Sequence, residues 1–159
     1  MKRKIIMILT LLTLLAGCSK LILENPVVNV GPEEIIEMID KEETFVFIIG
    51  ANSCPYCAEY IDGPLQELYD KKELKFSYLD IDLPLDEEKM NLLVGDEKYV
   101  NKKLESTPTT YFVSEGKIVH VEEGVVAYDS LVKYYSDYIR EGTKNAKNRY
   151  RYNNKCDFK

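Results

Sequence analysis

The chain has 159 residues, 45% of them hydrophobic and 30% charged, a balance suited to one globular domain with its own core. A net charge of −6 argues against nucleic acid as the main partner, because a phosphate backbone is held by a surplus of Lys and Arg. The cysteines are Cys18, Cys54, Cys57 and Cys156; only Cys54 and Cys57 lie close in sequence, which excludes a disulfide framework.

Lys2, Arg3 and Lys4 precede an apolar run over residues 5–16, closed by Leu15-Ala16-Gly17-Cys18. A basic start, a short apolar stretch and small residues before a cleavage point are the parts of an export signal. The run falls short of the roughly 20 residues that span a bilayer. Its last four residues resemble a bacterial lipobox. The resemblance implies cleavage before Cys18, acylation of Cys18 with palmitate-type chains, and a mature chain anchored on the extracytoplasmic face of the cell membrane. The competing readings are an uncleaved signal anchor, or an ordinary signal peptide with a chance cysteine. Residues 1–17 are thus expected to be a lipoprotein signal peptide and residues 18–30 a tether, with Asn25, Pro26, Asn29 and Gly31 as turn and breaker residues.

A domain is expected over residues 31–141. Residues 32–42 read as a helix: Pro32 suits its first position, Glu33 and Glu34 suit its positive end, and Ile35, Ile36, Met38 and Ile39 form an apolar side. Residues 44–49 are continuously apolar and rich in β-formers, the pattern of a central strand buried on both faces. Residues 55–72 read as a helix that Gly63-Pro64 should kink or break. Residues 74–81 alternate as a second strand. The charged stretch 86–104 carries an intermittent apolar face split by Gly95, which predicts one or two short helices. Residues 109–114 and 117–122 flank Glu115-Gly116 and read as a β-hairpin. Residues 129–140 make a last helix. Residues 142–159 form a basic tail with little to bury, either a solvated terminus or a contact for anionic lipid or wall polymer.

Between the first strand and the second helix stands Ala-Asn-Ser-Cys-Pro-Tyr-Cys, residues 51–57. A cysteine at the first turn of a helix meets the positive end of the macrodipole and N–H groups that lack intrahelical partners. Both favour thiolate over thiol, lowering a pKa from roughly 8.5 towards about 3.5–7.5. The second cysteine lies one turn on, placed to resolve a mixed disulfide made by the first. The pair reads as a dithiol redox site.

This order, with the cysteine pair after the first apolar strand, resembles the thioredoxin superfamily: an α/β fold with a central mixed sheet flanked by helices. Thr107-Pro108 lies just before the hairpin, where the resemblance implies a cis-proline facing the cysteines, and Gly124 stands where the superfamily often has a glycine. Carried over residue by residue, Cys54 becomes the nucleophile and Cys57 the resolving thiol. Pro55 and Tyr56 tune the thiolate, and Thr107 and Pro108 wall the substrate side. Cys-Pro-Tyr-Cys is the pattern typical of glutaredoxins, whereas a short acidic lipoprotein with this stretch resembles the bacteriocin transport accessory type of Gram-positive bacteria.

Three departures stand out. Ile48 occupies the position of the superfamily's buried aspartate, and nothing ionisable replaces it within residues 45–49. Ser53 replaces the usual tryptophan. The stretch 82–106 is longer than the usual connection, room for a lid or a partner surface.

The function expected is that of a membrane-anchored thiol–disulfide oxidoreductase without a cofactor. Its partners would be exported protein or peptide thiols and disulfides, a membrane electron donor or a transporter, and the membrane itself through the anchor at Cys18. The rival is a non-catalytic accessory or binding lipoprotein, for example in peptide or bacteriocin export. A zinc site of Cys54, Cys57, Cys156 and His120 is the answer from another class. It is disfavoured because only one close pair exists and His120 sits in an alternating pattern, Ile118, His120, Glu122, that faces solvent.

Overall fold

The structure, a computed structural model, describes residues 25–100 and 104–139; the expected lipidation site Cys18, Cys156 and the basic tail lie outside them. The elements run β1 (Val27–Asn29), α1 (Pro32–Asp40), β2 (Phe45–Gly50), α2 (residues 55–72), β3 (Phe76–Asp80), α3 (Glu87–Gly95), β4 (Thr109–Ser114), β5 (Lys117–Glu123) and α4 (Tyr128–Tyr138). One mixed sheet has the order β1-β3-β2-β4-β5, with β1, β3 and β2 parallel and β4 and β5 antiparallel.

All six residues of β2 are buried, as its unbroken apolar run requires of a strand covered on both faces. Alternation divides them. Val46 and Ile48 pack with Tyr60, Leu65 and Leu68 of α2 and Leu131 of α4. Phe45, Phe47 and Ile49 pack with Ile35, Ile36 and Ile39 of α1 and Leu93 of α3. Phe47 stacks on Tyr111 of β4, with centroids 4.6 Å apart and planes 7° from parallel. The strand therefore stitches two cores together, and its C-terminal end is held from both sides. α1 starts as its sequence demands: Pro32 needs no N–H partner, and the Glu34 carboxylate accepts from the Gly31 N–H at 2.8 Å.

Three expectations change and a fourth is sharpened. The end of the expected tether is a strand: Val27–Asn29 pairs with Phe76–Tyr78 at the sheet edge. The interruption expected at Gly63-Pro64 takes the form of a π-turn, Ile61–Leu65, between the α-helical pieces Pro55–Tyr60 and Gln66–Lys72. Widening the turn carries the helix past a residue that has no N–H to give. In the long connection, Leu93, Tyr99 and Val100 are buried against α1, so its described part is spent on covering the sheet rather than on a lid. His120 is no solvent-facing residue. A bulge between Phe112 and Val113 pairs His120 with Phe112 but Ile118 with Val113, which breaks the alternation that grouped them. The His120 ring lies on Tyr138, centroids 4.8 Å apart, and its Nε2 meets Glu122 Oε1 at 2.8 Å.

The hairpin tip is pinned to the loop after α1. Glu115 and Gly116 both adopt positive φ, 50° and 71°, the requirement of a two-residue turn between right-twisted strands. The Gly116 N–H donates to Glu43 O at 3.0 Å, and a Cβ on Gly116 would stand 2.5 Å from Ile39 O. Gly116→Ala should therefore cost about 1–3 kcal/mol. Its urea midpoint, measured against wild type at unchanged slope, checks this.

Candidate active site

At the C-terminal end of β2 the chain leaves the sheet through Ala51-Asn52-Ser53 and enters α2 at Cys54, whose extended backbone (φ −88°, ψ 115°) makes it the N-cap. Pro55 takes the first helical position, where its missing N–H costs nothing. Two carboxylates at the end of β3 fix the loop. Asp80 Oδ1 accepts from the Asn52 N–H at 3.1 Å and the Asp82 N–H at 3.0 Å, and Asp82 Oδ2 accepts from the Ser53 N–H at 2.6 Å. The Ser53 N–H, helped by the Ser53 side chain, holds the Asp82 carboxyl below its usual range. Neither carboxylate is among the site residues expected from the sequence. Their one signal was position, two acids where a parallel strand ends beside the motif-bearing strand.

Cys54 and Cys57 are free thiols in different surroundings. Cys54 is half-buried, and its Sγ lies 3.4 Å from Thr107 O. Its pKa is lowered, first by the Thr107 side chain and then by the backbone N–H of Cys57, with the Tyr56 N–H adding to the effect. Cys57 is 1% exposed, with the Ala51 N–H directed at its Sγ from 3.5 Å. Burial raises its pKa, and Cys54 adds to the rise. The two surroundings thus pull the thiol pKa values in opposite directions, Cys54 down and Cys57 up.

The Thr107–Pro108 bond is cis. The turn around it is tied down by Thr109 Oγ1 donating to Ser106 O at 2.6 Å and by the Gly124 N–H donating to Pro108 O at 2.7 Å. Tyr56 stands 65% exposed beside Cys54. The structure so brings Cys54, Pro55, Tyr56, Cys57, Thr107 and Pro108 to one end of the sheet. It does not bring His120 to them as a zinc ligand: that ring is engaged with α4, and no cluster of three metal-ligating side chains forms among the described residues.

The thiolate is the form that alkylates, so a lowered pKa brings the Cys54 rate to its plateau at a lower pH than an ordinary thiol. Thr107→Ala should move that inflection upward and slow alkylation at any pH below it. A pH series with iodoacetamide and peptide mass analysis checks both.

A family model described as "TraF: F plasmid transfer operon protein" matches residues 27–134. No curated protein matches the sequence. Among solved structures, a putative oxidoreductase with a thioredoxin fold aligns at TM-score 0.53 and 16% identity, covering 67% of this chain and 91% of its own. Thioredoxin O1 from Arabidopsis thaliana, in the oxidized state, aligns at 0.52 and 20%, covering 73% and 99%. A thioredoxin-like protein from Clostridium perfringens aligns at 0.52 and 18%, covering 79% and 92%. At these identities the likeness is one of fold: the domain is thioredoxin-like.

Proposed function

The chain belongs to the TraF family, and from that membership and its thiol geometry we propose that it is a thiol–disulfide oxidoreductase working through Cys54 and Cys57. The observation that carries the reading is the division of labour between the sulfurs: an accessible one held below the ordinary thiol pKa, and a buried one held above it. In the reducing direction the Cys54 thiolate attacks one sulfur of a substrate disulfide. A Cys54–substrate disulfide forms as the substrate S–S bond breaks, and the released thiolate takes a proton from water. Cys57 then gives up its proton and attacks Cys54 Sγ. The Cys54–Cys57 disulfide forms, and the second substrate thiolate leaves with that proton. Two electrons have passed from the dithiol to the substrate; run backward, the same steps oxidise a dithiol.

Thr107 and Pro108, beside Cys54, form the wall against which an extended substrate chain docks, and Pro55 and Tyr56 shape the opposite lip. The resemblance of Leu15–Cys18 to a lipobox supports a domain held on the outer face of the cell membrane, with exported proteins and peptides as its partners. Cys18→Ser should release it from the membrane fraction. A second reading, a non-catalytic accessory lipoprotein of an export or transfer apparatus, draws on the family's description as a transfer operon protein. It also draws on the exposed Tyr56.

The deciding experiment equilibrates the protein in thiol buffers and traps free thiols. A reversible Cys54–Cys57 couple supports the enzyme. A potential near about −270 mV marks a reductant fed by a membrane donor, and one near about −120 mV a disulfide donor. Absence of any reversible couple would hand the chain to the accessory reading.

A further inference from the structure

In the proposed reaction Cys57 must ionise inside the protein, where burial opposes it. Beside it stands a side chain that sequence reasoning did not single out. Tyr78 of β3 is 2% exposed, and its hydroxyl has no hydrogen-bond partner among the described residues. Burying an O–H without a partner is costly, so an unpaired one calls for a reason.

Register supplies it. β3 pairs with β2 so that Tyr78 lies opposite Ile48 and Asp80 opposite Gly50, and Tyr78 packs on the sheet face covered by α2. The ring tip reaches forward to Gly50: a Cβ there would collide with the Tyr78 hydroxyl, Cζ and Cε2. The next residue is Ala51, whose N–H is directed at Cys57 Sγ. The hydroxyl therefore ends beside the resolving sulfur, in space left by a glycine and level with an aliphatic residue on β2.

Resting on the oxidoreductase reading, we propose that Tyr78 is the positioning residue for Cys57, its O–H donating a hydrogen bond to the Cys57 thiolate as that sulfur attacks Cys54. Tyr78 keeps its own proton throughout. The Cys57 proton leaves with the departing substrate thiolate, the Cys54–Cys57 bond forms, and the Cys54–substrate bond breaks. The electrostatics agree. The Tyr78 hydroxyl pulls the Cys57 pKa down against burial, while burial and the Cys57 sulfur push Tyr78 well above the ordinary phenol range. The titratable groups facing this pair are Cys54 on α2 and Asp80 on β3, and both favour the protonated phenol.

The test uses the full chain with Tyr78→Phe, and Tyr60→Phe for comparison. Tyr60 is equally buried, but its hydroxyl meets Thr110 Oγ1 at 3.1 Å. In a Cys54→Ser background, the pH inflection of the Cys57 13Cβ resonance should rise with Tyr78→Phe and stay put with Tyr60→Phe. With Cys54 present, the mixed disulfide should persist about tenfold longer, the effect of one pKa unit or one charged hydrogen bond. Cys54 alkylation should not change. In the wild type, which needs no substitution to fold, the Tyr78 13Cζ resonance should respond as Cys57 ionises. The inference falls if Tyr78→Phe leaves inflection and lifetime unchanged, if Tyr60→Phe shifts them equally, or if the wild-type resonance is silent. A wild type with no reversible couple would overturn both readings; a working couple insensitive to Tyr78→Phe would overturn only this one.

Discussion

Cys57→Ser is expected to stop turnover after a single mixed disulfide per chain, and Cys54→Ser to prevent even that. Insulin reduction monitored with trapping of disulfide-linked adducts separates the two. Cys54 is the sulfur within reach of a substrate: it is half-buried and its pKa is lowered by Thr107 and by N–H groups of the first helical turn. A serine hydroxyl there stays protonated at neutral pH, so the rate should fall by at least about 10³-fold, equivalent to roughly 4 kcal/mol of barrier. Cys57, at 1% exposure, cannot meet a macromolecular disulfide directly. Its loss leaves the first attack intact and removes the intramolecular step that frees the product, so the adduct accumulates. Equal, complete loss in both variants without any Cys54-linked adduct would contradict the assignment of nucleophile and resolving thiol.

Phe47→Ala should be the most damaging change outside the site, costing about 3–5 kcal/mol. The ring is fully buried at the centre of β2, stacked on Tyr111 and packed in the core shared by α1 and α3. A domain of this size has only about 5–15 kcal/mol to lose, so much of the population would unfold under mild denaturant. The effect should extend to the site, because β2 delivers Gly50 and Ala51 to Cys57. Chemical denaturation read by tyrosine fluorescence gives the loss. Phe47→Leu, which keeps most of the volume, should recover a large part of it.

Much of the domain was legible in the sequence because the signals were local. The apolar run of β2, the alternation of β3 and the Glu115-Gly116 turn each state their structure within a few residues. The cysteine spacing and the proline at 108 did the same for the site. β1 was not legible: three residues after Asn25-Pro26, half exposed, carry no periodicity, and the strand exists only because Phe76–Tyr78 offers it an edge. Nor was the side of the sheet that His120 faces, since one bulge two pairs from the hairpin turn reverses a period-two count. The interruption at Gly63-Pro64 was legible, but its form, a π-turn at Ile61–Leu65, was not. Gly63-Pro64 is a helix breaker by propensity, and the packing of Tyr60, Leu65 and Leu68 on the sheet carries the helix on through that turn.

The sequence by itself determined the Cys54–Cys57 pair, its place at a strand-to-helix turn, and the layered α/β domain around it, because adjacent residues encode all of these through backbone propensity and hydrophobic period. Only the tertiary structure decided what surrounds the sulfurs. Thr107 reaches Cys54, Asp80 and Asp82 tie down the loop, and Tyr78 stands behind Cys57 because parallel pairing sets Ile48 against Tyr78 and Gly50 against Asp80. These residues lie more than 20 positions from the sulfurs they influence. Strand register, a property of the whole sheet, is what brings them there.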